Sequence, residues 1–197
     1  MDQLEFLRMA LGELERLNLS YALVGSYGSS YYGEPRFTRD IDIVLDLPSS
    51  QVTGFCAAFP SPDFYLSEPA VRDAVQSRFQ FNLLHPESGN KIDFILTRRE
   101  PWSAGQLQRR RRVQIRPNFE GYIASPEDII IGKIWYFSEG GGERHLQDIA
   151  GILRVTGEGV DRSEVERWVR ELGYLDVWRQ VVDIADGPDR PPGPGVP

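Results

Sequence analysis

The segment from Leu23 to Leu47 constrains this chain more than any other. An apolar run ends at Gly25-Ser26, a polar and aromatic stretch follows, and a second apolar run opens as Asp40-Ile-Asp42-Ile-Val-Leu45. On a strand the side chains alternate faces, so Asp40 and Asp42 point one way while Ile41, Ile43 and Leu45 point the other. Two carboxylates side by side repel one another unless solvent or a cation screens them. A hard divalent ion does this well, because Mg²⁺ takes oxygen ligands and is held by one or two carboxylates plus substrate phosphates. The plain alternative is a half-exposed strand with a polar side. Asp46, of the same parity, needs no catalytic role.

The residues upstream sharpen the reading. Ser26 opens Ser-Tyr-Gly-Ser-Ser-Tyr-Tyr-Gly33, directly after the strand-like Tyr21 to Val24. A strand, a glycine turn and a helix start would aim backbone N–H groups and a serine hydroxyl at an anion beyond the strand end. Taken alone, Gly25-Ser26 is equally an ordinary strand-to-helix turn. The aspartates follow 14 and 16 positions after Ser26, which joins a phosphate cradle to a metal site.

Gly25-Ser26, Gly33 and Arg36-x-Thr38-x-Asp40-x-Asp42 resemble the signature of the nucleotidyltransferase superfamily that shares the DNA polymerase β fold. Within it, the Arg-x-Thr-x-Asp-x-Asp form resembles minimal bacterial proteins related to the AbiEii-type toxins of toxin–antitoxin and phage-defence systems. The resemblance covers about residues 20 to 155. It implies an α+β fold, a mixed sheet flanked by helices with a C-terminal helical extension. It also implies a third carboxylate on a later strand, which Asp93 provides within Lys91-Ile-Asp-Phe-Ile-Leu96. By the same resemblance Asp40, Asp42 and Asp93 are the catalytic and metal-binding residues of a site for Mg²⁺, with two ions expected. Gly25, Ser26, Arg36, Thr38 and Lys133 are the expected nucleotide-binding residues.

Composition bounds the setting. At 197 residues the chain suffices for one full domain, or for a small α/β core with a helical extension. A net charge of −7 argues against coating nucleic acid by bulk electrostatics, while leaving room for a local basic groove. A single cysteine, Cys56, excludes an internal disulfide and suits a reducing compartment. Among Phe55, Ala57, Ala58 and Phe59 it reads as a small core residue. No apolar run approaches the roughly 18 residues of a membrane span, and the N-terminus lacks an export signal, so a cytoplasmic protein is expected.

Leu4, Leu7, Leu11, Leu14 and Leu17 predict an amphipathic helix over 2–18. Two short helices are expected between Ser49 and Ala74. Arg78 to Leu84 alternates like a strand, 85–90 reads as a turn with a surface histidine at His85, and Lys91 to Leu96 returns antiparallel, so the sheet should be mixed. The basic run Arg109 to Arg112, near Arg98, Arg99 and Arg116, reads either as a solvated helix face or as a contact for RNA or triphosphate. Arg36 is either a phosphate or base contact or the partner of a carboxylate. Thr38 also suits a turn-fixing hydroxyl.

Ser125-Pro-Glu-Asp128 is a helix start with a capping box, leading into Ile129 to Trp135. Lys133 in that run either snorkels from a packed face or, as the resemblance implies, contacts triphosphate. Asp148, in a helix with Leu146, Ile149, Ile152 and Leu153, reads as a supporting or helix-pairing residue rather than a metal ligand. Two further helices are expected before the Pro/Gly-rich tail. The domain reading is a core over 1–124, a helical region over 125–186 and a disordered tail over 187–197.

The function expected is Mg²⁺-dependent transfer of a nucleoside monophosphate from a nucleoside triphosphate (EC 2.7.7 type). The acceptor is left open among RNA, protein and small molecules, and a toxin role with a partner antitoxin follows from the resemblance. The alternatives are an inert nucleotide-binding or regulatory module of the same fold, and a small-molecule transferase of the antibiotic-modifying kind.

Overall fold

A computed structural model describes residues 1–187; the expected disordered tail lies outside the described residues except for its first position. By its internal contacts the chain forms two compact units, one from residues 1–24 and 38–124, the other from 25–37 and 125 onward. Among the described residues, all six strands fall in the first and the second is helical.

The first unit is built on a sheet with the order β3-β4-β2-β1-β6-β5. Its strands are β1 (Ser20–Leu23), β2 (Asp40–Asp46), β3 (Gln80–His85), β4 (Asn90–Leu96), β5 (Arg111–Arg116) and β6 (Phe119–Ile123). β2 runs parallel to β4 and antiparallel to β1, β3 antiparallel to β4, and β5 antiparallel to β6, so the sheet is mixed as expected. On one face Ile41, Ile43, Leu45, Ile92, Phe94 and Leu96 are sealed from solvent. Each such side chain contributes roughly 1.5–3 kcal/mol of burial.

Helix α1 (Gln3–Arg16) sets Phe6, Leu7, Ala10, Leu11 and Leu14 into this core, and Asp2 and Glu5 close its start as a reciprocal capping box. Helix α2 (Gly25–Tyr32) belongs to the second unit, and between β2 and β3 come α3 (Val52–Ala57) and α4 (Glu68–Ser77). Phe55 of α3 meets Phe81 and Phe94 edge-on at 5.5 and 5.4 Å between ring centroids. Cys56, beside it, is only half-buried.

Two expectations in this unit are corrected. His85 is not a surface residue: it is buried among Phe6 and Phe64, with Nδ1 at 2.8 Å from Ser88 Oγ. As the last residue of β3 it shares the parity of Phe81 and Leu83, which puts its ring on the core face. The arginine run is not helical either. After the short α5 (Pro101–Gly105), Arg111 to Arg116 form the edge strand β5, where Val113 and Ile115 alternate with exposed positions. Asn118, at φ 60°, makes the tight return to β6.

The second unit comprises α2 (Gly25–Tyr32), α6 (Pro126–Ser138), α7 (Arg144–Thr156), α8 (Arg162–Glu171) and α9 (Leu175–Asp186). Ser125 caps α6 by accepting from the Asp128 N–H at 3.2 Å. The Asp128 carboxylate in turn accepts from the Ser125 hydroxyl at 3.1 Å. Helix α6 buries Ile129, Ile130, Ile131 and Ile134 on several sides, so it is the unit's central helix. At Gly33 a Cβ would come within 2.8 Å of the Ile152 backbone nitrogen, so only glycine lets the chain leave α2 this close to α7.

Candidate active site

In the first unit, strand pairing assembles the carboxylate face. Val24 N–H donates to Asp42 O at 3.0 Å, continuing the β1–β2 ladder to the strand's entrance. Thr38 Oγ1 accepts from the Asp40 N–H and donates to the Asp40 carbonyl, both at 3.3 Å, which fixes the approach to β2. Between the parallel strands β2 and β4, Asp42 stands opposite Asp93 and Asp40 opposite Lys91. All four side chains therefore share one face, opposite the sealed core. Asn82 of β3, opposite Asp93 from the other side, belongs to the same face.

The polar contacts on this face are specific. The Lys91 ammonium lies 2.7 Å from Asp93 Oδ2, and the Asn82 amide donates to Asp93 Oδ1. The hydrogen bond to Asp93 holds the lysine's pKa above its ordinary value, against the opposing effect of burial; attraction to Asp93, Asp40 and Asp42 adds to it. The Lys91 ammonium thus answers all three carboxylates. Among the described residues, no three His, Cys, Asp or Glu side chains are gathered closely enough to hold a metal ion. Asp42 and Asp93, opposite one another with Asp40 on the same face, are oxygen donors of the type that a hard divalent cation takes. Lys91 and Asn82 between them engage both oxygens of Asp93.

In the second unit the chemistry has the opposite sign. Arg36 grips Asp148 bidentately, with Nε and Nη2 each 2.9 Å from a carboxylate oxygen. The same Nη2 donates to Ser26 Oγ at 2.6 Å. Lys133 Nζ donates to Asp148 Oδ2 at 2.7 Å. The lysine and aspartate side chains are only 5% and 9% exposed, which makes this a buried ion pair. Burial alone would push the Asp148 carboxyl up, but hydrogen bonds and attraction from Arg36 and Lys133 bring it down to about 2. Burial, with Lys133 nearby, pushes the His145 pKa below the ordinary histidine value. Gly25, at φ 55°, turns the chain into α2, and Ser26 is that helix's second residue.

The expected residues thus sort into two sets. Asp40, Asp42 and Asp93 line one sheet face, with Thr38 at its entrance. Ser26, Arg36 and Lys133 converge on Asp148. The Arg36 guanidinium pairs with the Asp148 carboxylate, and Lys133 is ion-paired to the same residue. Sequence reasoning passed over the roles of Lys91 and Asn82. Lys91 was legible in principle, since it sits two positions before Asp93 and so shares its face; Asn82 needed the hairpin register.

No protein-family model matches the chain, and no curated protein matches it. Solved structures do match. An antigenic nucleotidyltransferase-like protein from Paracoccidioides brasiliensis aligns over 91% of this chain and 93% of its own, with 20% identity and a TM-score of 0.51. The antibiotic-resistance factor ANT(2'')-Ia aligns over 90% and 96%, with 13% identity and a TM-score of 0.54. JHP933 from Helicobacter pylori aligns over 92% and 79%, with 14% identity and a TM-score of 0.50. The fold is therefore that of the nucleotidyltransferases, an α+β architecture with a mixed six-stranded sheet flanked by helices. At these identities the likeness is one of fold.

Proposed function

We propose that this protein is a divalent-metal-dependent nucleotidyltransferase that moves a nucleoside monophosphate from a nucleoside triphosphate to an acceptor hydroxyl. What supports the reading above all is the register that sets Asp42 beside Asp93, with Asp40 on the same face, in a nucleotidyltransferase fold.

In this reading Asp40 and Asp42 would hold Mg²⁺, and Asp93 would complete a two-ion site or take the proton from the acceptor. A metal held there would supply polarisation of the α-phosphate and neutralisation of charge on the departing pyrophosphate. The acceptor oxygen forms its bond to the α-phosphorus as the bond to the β-phosphate oxygen breaks. Gly25 and Ser26 serve the β- and γ-phosphates. Arg36 orients the Ser26 hydroxyl, and Arg36 and Lys133, which both bind Asp148, are donors of the kind that suits phosphate. Thr38 positions the entrance to β2.

The fold alone does not choose an acceptor. ANT(2'')-Ia is an antibiotic-resistance factor, which favours testing small molecules beside RNA and protein. The AbiEii-like resemblance adds a toxin role with a cognate antitoxin. A second reading, an inert nucleotide-binding or regulatory module, is favoured by the engagement of Asp93 with Lys91 and Asn82. Incubation of the pure protein with each labelled triphosphate and with RNA, protein and small-molecule fractions of cells decides between them. Transfer is expected to need Mg²⁺ and to fall on the order of 100-fold or more in Asp42→Asn, the scale of losing several kcal/mol of metal-borne stabilisation. Undiminished transfer by that variant would refute the assignment.

A further inference from the structure

We infer that Lys91 is a resident counter-ion of the carboxylate face, which an entering divalent cation displaces from Asp93. The inference rests on the metal-site reading above and names the residue that controls access to it.

The geometry carries it. Lys91 is the cation hydrogen-bonded to Asp93, and its ammonium is drawn by Asp40 and Asp42 as well. Asp93 Oδ2, the oxygen it occupies, is also the one that Asn82 does not engage. For Asp93 to act with Asp42, the residue opposite it across the ladder, this oxygen has to be released. Lys91 has the means to leave. Its side chain is 38% exposed, against 16% for Asp93, and it ends a flexible four-carbon stem. Asn82 stays in place and keeps the carboxylate plane oriented while Oδ2 changes partner. Without a metal, Lys91 reduces the mutual repulsion of Asp40, Asp42 and Asp93.

The consequence is competition between one covalently tethered cation and a free one. Removing the tethered charge should therefore raise metal affinity, by about fivefold if the displaced pair is of ordinary exposed strength. The measurement is Mn²⁺ binding to the full chain, followed by the electron paramagnetic resonance signal of the free ion without any nucleotide. Lys91→Gln should bind Mn²⁺ about fivefold more tightly than the native protein, Lys91→Arg should bind as the native protein does, and Asp42→Asn should abolish the gain when combined with Lys91→Gln. Equal or weaker binding by Lys91→Gln overturns the inference. If binding is lost in Asp42→Asn yet unchanged in Lys91→Gln, the inference about Lys91 fails while the metal site stands. If Mn²⁺ binding is indifferent to Asp42→Asn in both backgrounds, or absent from all variants, the metal-site reading falls as well.

Discussion

The two charged clusters of this protein are built on opposite plans. On the sheet of the first unit, three carboxylates draw the Lys91 ammonium, which is more than a third exposed. In the helical unit, two cations enclose one carboxylate, Asp148, and the pair it forms with Lys133 is almost closed to solvent. Lys91 in the one and Asp148 in the other are the counter-charges compared, and the cost of removing them differs. An exposed ion pair contributes about 0–1 kcal/mol, whereas breaking a buried one leaves an uncompensated charge in low dielectric and costs about 3–5 kcal/mol. The Lys91 contact is thus suited to exchange. The Asp148 cluster is suited to permanence.

The largest effect that can break this comparison is on stability. Asp148→Ala should lower unfolding free energy by about 3–5 kcal/mol in urea titrations, because Arg36 and Lys133 lose their shared anion. A loss below about 1 kcal/mol would remove the distinction between the clusters. Acid provides a smaller version of the same test. Asp148 titrates near 2 in the folded protein, below its ordinary 3.8, so its contribution is complete above about pH 4 and is lost as pH falls toward 2. That contribution is about 2 kcal/mol, and it should be missing from the acid limb of the Asp148→Ala variant. At the small end, Lys91→Gln should shift stability by less than about 1 kcal/mol while its effect on Mn²⁺ binding remains.

Much of this was legible in the sequence because period-two alternation is a strong code. Asp40, Asp42 and Asp93 each interrupt an apolar strand, and their parity alone predicts one shared face once the strands are neighbours. The hairpin of β3 and β4 was legible for the same reason. Where reading failed, the cause was tertiary. Arg109 to Arg112 look helical beside a short helix, yet Val113 and Ile115 alternate into the edge strand that pairs with β6. His85 follows the parity of its strand into the core rather than the polarity of the turn after it. The Arg36–Asp148–Lys133 cluster joins residues 112 and 15 positions apart, a convergence that no local pattern encodes.

The account depends on the carboxylate face binding a metal-complexed triphosphate, and thermal unfolding with each of the four nucleoside triphosphates reads this directly. At least one triphosphate should raise the native protein's melting temperature with Mg²⁺ and much less without it, and Asp42→Asn should abolish the Mg²⁺-dependent part. No shift with any of the four, or an equal shift in Asp42→Asn, would contradict it.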